Sequence, residues 1–280
     1  MPKIRDYEMR EELSRVGPIG SVVADLPDSN VPVVLKYIQC DPELFAPQET
    51  APQIVDFLSA ACVQQQVSRF SSHWAQIEDL GTFPGGAYFS TTRCRLTIHR
   101  LIRAKVPLRA HELFAIADGV IKGLGDLKRL CGRSHGNLTA RNILVEPASG
   151  LTPMQVFLTD PSGRAEDCTE SADLQSLGGI LYELITRQTL KRFTSYSIPD
   201  SDAWARLGRK GEGWHALVSL FLNFETGEEY LTLDKFAHEI AALAQPRRGR
   251  WIGRAGLIAF FILLLTLLAA LTVPGLPLQT

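Results

Sequence analysis

The residues with chemistry to offer lie in three short stretches of this chain. The first is RVGPIG (15–20), followed by VPVVLKYI (31–38), where Lys36 sits on an otherwise apolar run. The second is HGNLTARNIL (135–144), which holds His135, Asn137, Arg141 and Asn142. The third is MQVFLTDPSG (154–163), which ends in Asp160. A glycine turn between strands is either a plain hairpin or a loop whose backbone can approach a phosphate. A lysine on an apolar strand is either an edge residue with its amine in water or a cation aimed at an anion. His135 alone reads equally well as a core histidine packing its ring. Asn137 is more restrictive: an amide has no titratable carboxylate and cannot serve as a general base.

The elements that must position these residues follow from periodicity and turn chemistry. The chain has 280 residues, 45% of them hydrophobic and 21% charged, enough for one two-lobed domain or two small ones. The N-terminal third reads as strands with one helix. Residues 7–13 form a first strand, and a helix spans 53–70. Two further strands lie between 77 and 95, joined by GTFPGG (81–86). Residues 109–130 carry apolar positions at helical spacing. Ile143-Leu144-Val145 reads as a short strand, and 173–186 as a buried helix. Asp56, the only acid of the 53–70 helix, is expected in its first turn, where it suits the helix dipole.

From Ala255 to Val273 run 19 residues without a charge. That length is sufficient to cross the hydrocarbon core of a bilayer as a helix. Arg247, Arg248, Arg250 and Arg254 precede it, with Trp251 among them. Basic residues on one flank and an interfacial aromatic predict a single-pass, C-terminally anchored protein, its larger part in the cytoplasm. Without those four arginines the chain carries 25 basic residues against 30 acidic ones. No basic face is evident, so nucleic acid is not an expected partner. The five cysteines (40, 62, 94, 131 and 168) are scattered and odd in number, which predicts reduced thiols and no zinc site.

Taken in order, the glycine turn, Lys36, HGNLTARNIL and DPSG resemble the motifs of the protein kinase superfamily. HGNLTARN matches H-R-D-L-x-x-x-N, VPVVLK matches V-A-I-K, and DPSG stands where D-F-G would. DLQSLGGILYEL (173–184) resembles the helix D-x-x-S-x-G-x-x-L-x-E-L. The resemblance covers about residues 7–245. It implies a bilobal α+β fold with a β-rich N-lobe over about 1–92 and a helical C-lobe over about 93–246. A basic segment (247–254), the membrane helix (255–273) and a short outer tail (274–280) complete the chain.

By residue, the resemblance implies nucleotide contacts from Gly17, Gly20, Lys36 and Arg141. It implies metal ligation by Asn142 and Asp160, and structural roles for His135 and Asp173, with ATP and Mg2+ as cofactors. It also exposes departures. Asn137 replaces the base Asp, Gly136 replaces the loop Arg, and Arg15 stands at the first glycine. The 53–70 helix has no Glu to pair with Lys36, and only Gln64, Gln65 or Gln66 could offer a neutral hydrogen bond. The segment after DPSG is short and lacks A-P-E, and 223–240 lacks its Arg partner. The HGN and D-P-x-x pattern is similar to the pseudokinase domains of Janus kinases, without implying a close relation. A membrane-anchored pseudokinase that binds membrane-associated partners is therefore the expectation. A weakly active ATP-dependent phosphotransferase and a purely structural anchor with an empty cleft are the alternatives.

Overall fold

The computed structural model describes residues 4–26, 31–40, 52–150, 152–166, 168–190, 198, 201–222 and 232–244. Residues up to Leu243 form one compact unit. Its first part is a five-stranded antiparallel sheet in the order β1-β2-β3-β5-β4. The strands are β1 (Glu8–Val16), β2 (Ile19–Asp25), β3 (Pro32–Gln39), β4 (Ile77–Phe83) and β5 (Gly86–Thr92). One helix, α1 (Pro52–Ser68), is inserted between β3 and β4.

Strand β3 shows why both sheet faces are covered. Its side chains alternate, so Val33, Leu35 and Tyr37 share one face and Lys36 and Ile38 the other. Val33, Leu35 and Tyr37 pack with Val22, Ala24 and Tyr88 under the N-terminal Ile4 and Tyr7. Ile38 and Ala87 on the opposite face pack against Ile54, with Phe57 and Leu58 beside them. Lys36 lies on this second face, toward α1.

The second part is helical. It comprises α2 (Ile98–Arg103), α3 (Ala110–Cys131), α4 (Glu170–Thr186), the short α5 (Asp202–Ala205), α6 (Gly211–Leu222) and α7 (Leu233–Ala244). A small sheet, β6-β7-β8 (Leu96–Thr97, Ile143–Glu146, Gln155–Leu158), lies on α3. Helix α3 buries Leu113, Ile116, Ala117, Val120, Leu124 and Leu127, the stripe its periodicity requires. Gly178 lets α4 approach α6 closely, because a Cβ there would overlap Phe221.

The connection from α1 to β4 is threaded into the helical part. Trp74 Nε1 donates to Gly123 O at 2.8 Å. Ala75 N donates to Leu158 O at 2.9 Å, and Leu158 N to His73 O at 2.8 Å. Ser71 Oγ donates to Asp126 at 2.6 Å. This linker ties the end of α1 to α3 and β8, and thereby to the loops that carry the polar residues of the site.

The expected elements are present with small shifts at their ends. Helix α1 begins at Pro52, which places Asp56 beyond the first turn, not within it as its sequence position suggested. Among the described residues no helix is long and apolar enough to cross a membrane. The 255–273 stretch, its basic flank (247–254) and residues 223–231 lie outside the described residues.

Candidate functional site

The loop 132–142 is fixed from beneath by α4. Asp173, in the first turn of α4, accepts from His135 N at 2.6 Å and from Gly136 N at 2.9 Å. Burial raises its pKa to about 6 despite these two donors. Gly136 has φ +68°, and a Cβ on it would collide with Cys168 Sγ. The thiol therefore occupies the space at the position where kinases place an Arg.

His135 is fully buried, with its ring stacked on Trp74 at 5.5 Å. Nε2 lies 3.2 Å from Thr159 O, and Nδ1 accepts from Asn137 N at 3.2 Å. One nitrogen must donate and the other accept, which a neutral imidazole satisfies and an imidazolium does not. Burial is the main cause that pushes its pKa down to about 4.

Asp160 follows β8 with φ +57°, in the left-handed region. Each of its polar groups meets a different element. Its N–H donates to Gln64 Oε1 on α1 at 2.8 Å. Its C=O accepts from Asn137 Nδ2 at 3.0 Å. Its carboxylate forms an ion pair with Lys36 of β3, whose Nζ also lies over the Phe89 ring, 5.8 Å from the centroid. The pair is partly shielded, with the two side chains 15% and 25% exposed.

Gln64 is wholly buried, and its carboxamide makes three bonds. Oε1 also accepts from Thr159 Oγ1 at 3.2 Å, and Nε2 donates to Ala75 O at 2.8 Å. The glutamine thus bonds the backbone of Asp160, and not Lys36 as the sequence pattern suggested. Two further ties hold α1 to the same segment. Ser59 Oγ donates to Gly163 O at 3.0 Å, and Arg164 pairs with Asp56 at 2.7 Å. Gly163 has no room for a side chain because Asp56 O occupies it. Asp56 is therefore an ion-pair partner in addition to being a helical acid.

The remaining predicted residues are placed less centrally. Val16 pairs with Ile19, so Gly17-Pro18 is a two-residue hairpin turn, with Gly17 at φ +57°. Pro18 O accepts from Gln39 N at 3.0 Å. Gly20 faces Tyr37, whose ring fills the space of its missing side chain on the sheet face away from Lys36. Neither glycine needs a ligand to account for it. Arg141 is exposed, and its charge acts on His99, whose pKa it helps to lower after burial. Asn142 Nδ2 donates to Asn137 O at 2.8 Å, leaving Oδ1 for another partner. Sequence reasoning missed Arg133, which donates to Ser162 O at 2.6 Å, and Cys168; neither belongs to a recognisable motif.

The oxygens of Asp160 and Asn142 Oδ1 suit a hard cation such as Mg2+, which takes one or two protein oxygens and keeps several waters. Among the described residues no group of three His, Cys, Asp or Glu side chains could hold a metal by itself.

No family model and no curated protein matches the sequence. Among solved structures the chain is similar to the kinase domain of PknI from Mycobacterium tuberculosis, seen in a double mutant and a single mutant. Both give a TM-score of 0.58, covering 85% of this chain and 96% of that domain, at 14% and 15% identity. The fold is thus the kinase-like α+β fold, with a β-sheet lobe and a helical lobe.

Replacing Gln64 by Leu strips partners from the Asp160 N–H, the Thr159 hydroxyl and the Ala75 carbonyl. A loss of about 2–4 kcal/mol is expected in urea unfolding. His135 gives a pH prediction. Below about pH 6.5 the unfolded chain protonates this ring and the folded chain does not, so the group withdraws stability as pH falls toward about 4. Asp173 acts the other way, since the folded chain takes up its proton first, near pH 6. The His135 ring signals in NMR should stay flat from neutral pH to about pH 5; a midpoint near 6.5 would contradict the assignment.

Proposed function

We propose that this protein is a membrane-anchored pseudokinase, a binding and regulatory module and not a phosphotransferase. The observation that carries this reading is the hydrogen bond from Asn137 Nδ2 to Asp160 O. At the position where the kinase pattern requires a proton acceptor, the chain has a donor already committed to the backbone. The groups around it support the same reading. Gly136 and Cys168 fill the place of the loop Arg, and α1 is latched by Gln64, Ser59 and Asp56 without a Lys–Glu pair.

Binding of a nucleotide is compatible with this role. Lys36 would meet phosphate oxygens, and Asp160 with Asn142 would hold Mg2+, which neutralises phosphate charge when bound. Lys36 and Asp160 form an ion pair, so phosphate and Mg2+ would each take over one of its partners. Binding is therefore expected to require magnesium and to stabilise the fold by mass action. The apolar stretch 255–273 and its arginines would hold the module at a bilayer, where tethering raises its effective concentration near membrane-associated protein partners.

The competing reading, a weak phosphotransferase, draws on the retained Lys36 and Asp160, since loose phosphoryl transfer relies on positioning and metal charge more than on a base. Full-length protein in lipid nanodiscs, given labelled ATP and Mg2+, separates the two. The expected result is no label on the protein or an added acceptor above the Asp160→Ala background. Thermal stabilisation by ATP with Mg2+ should be lost in Lys36→Ala. Transfer that Asp160→Ala abolishes would overturn the proposal, and no stabilisation at all would leave a structural anchor with an empty cleft.

A further inference from the structure

A cavity of about 310 Å3 lies in the helical lobe, and neither Lys36 nor Asp160 lines it. That volume is at the lower end of the range for small-molecule pockets. Its apolar wall comes from Leu108, Leu113, Leu184, Ile185 and Leu207. Three arginines line it as well, each from a different place in the fold. Arg109 is the residue before α3, Arg187 follows α4, and Arg206 follows α5.

The charge distribution is one-sided. Among the described residues no Asp or Glu lines the cavity. None of the three guanidinium groups is in an ion pair among the described residues. Three acids lie at helical spacing from these arginines: Glu112 accepts from Arg109 N at 2.6 Å, Glu183 accepts from Leu190 N at 2.9 Å, and Asp202 stands exposed four residues before Arg206. Ala110 and Leu113 belong to the first turn of the 22-residue α3, whose dipole adds positive potential at the same wall. Arg109 and Arg206 are exposed and Arg187 is half-buried, so the three cations are open to an anion that enters the hollow.

We propose that this cavity is a binding site for a small amphipathic anion, with a carboxylate or phosphate head among Arg109, Arg187 and Arg206 and an apolar body against Leu113, Leu184 and Ile185. A simple inorganic anion would leave the apolar wall unused. A neutral hydrocarbon would leave the three cations unpaired. Such a ligand would bridge the start of α3, the end of α4 and α5, and so fix their spacing. This inference does not depend on whether a nucleotide binds in the other cleft.

Labelled octanoate is a suitable probe, dialysed to equilibrium against full-length protein in nanodiscs, with uptake by empty nanodiscs subtracted. One saturable site is expected. Octanol and acetate, each lacking half of the recognition chemistry, should compete poorly, and ATP with Mg2+ should not displace the probe. Arg109→Glu with Arg206→Glu, both at exposed positions, should weaken uptake about tenfold or more. Ala110→Trp, which places bulk in the cavity from a partly exposed position, should also block it. Absence of saturable uptake, equal uptake by the variants, equal competition by octanol, or displacement by ATP would overturn the proposal.

Discussion

The structure turns on how Asp160 is held. Its N–H is bonded by Gln64 from α1, its carbonyl by Asn137 from the 132–142 loop, and its carboxylate by Lys36 from β3. Three elements far apart in sequence thus meet on one residue in a left-handed conformation. Each bond alone contributes modestly, because water competes for the same groups in the unfolded chain. Together they form a network in a partly shielded environment, where removing one member leaves others without partners. The helix, the loop and the strand cannot shift independently while this contact stands.

The network also explains why the departures from the kinase pattern occur as a set. A base, a loop Arg and a helix Glu serve chemistry and its control. Here each position has a structural occupant. Asn137 closes a hydrogen bond, Cys168 fills the volume above Gly136, and Gln64 ties α1 to Thr159 and Asp160. Arg133 bonds Ser162 O, while Arg164 reaches back to Asp56, so the chain is fastened where it leaves Asp160.

Much of this was legible in the sequence because it depends on local pattern. The alternation in β3, the apolar stripe of α3 and the spacing from His135 to Asn142 each encode their element directly. The pairing of Asp173 with the loop backbone follows from the motif that opens α4. What was not legible depends on contacts between distant segments. Gln64 lies among three consecutive glutamines, and nothing local marks it as the one that turns inward. Gly20 looks like part of a phosphate loop until Tyr37 is seen lying across it. Asp56 looks like a dipole partner until the start of α1 and the position of Arg164 are known.

The central claim is that Asn137 serves as a hydrogen-bond donor and is not simply a lost base. The substitution Asn137→Asp tests it most directly, with unfolding free energy and phosphotransfer measured on the same full-length sample. A carboxylate cannot donate to the Asp160 carbonyl and would face it with like charge. The account predicts a loss of about 1 kcal/mol and no gain of transfer. Unchanged or higher stability, accompanied by phosphotransfer above that of the natural protein, would contradict it.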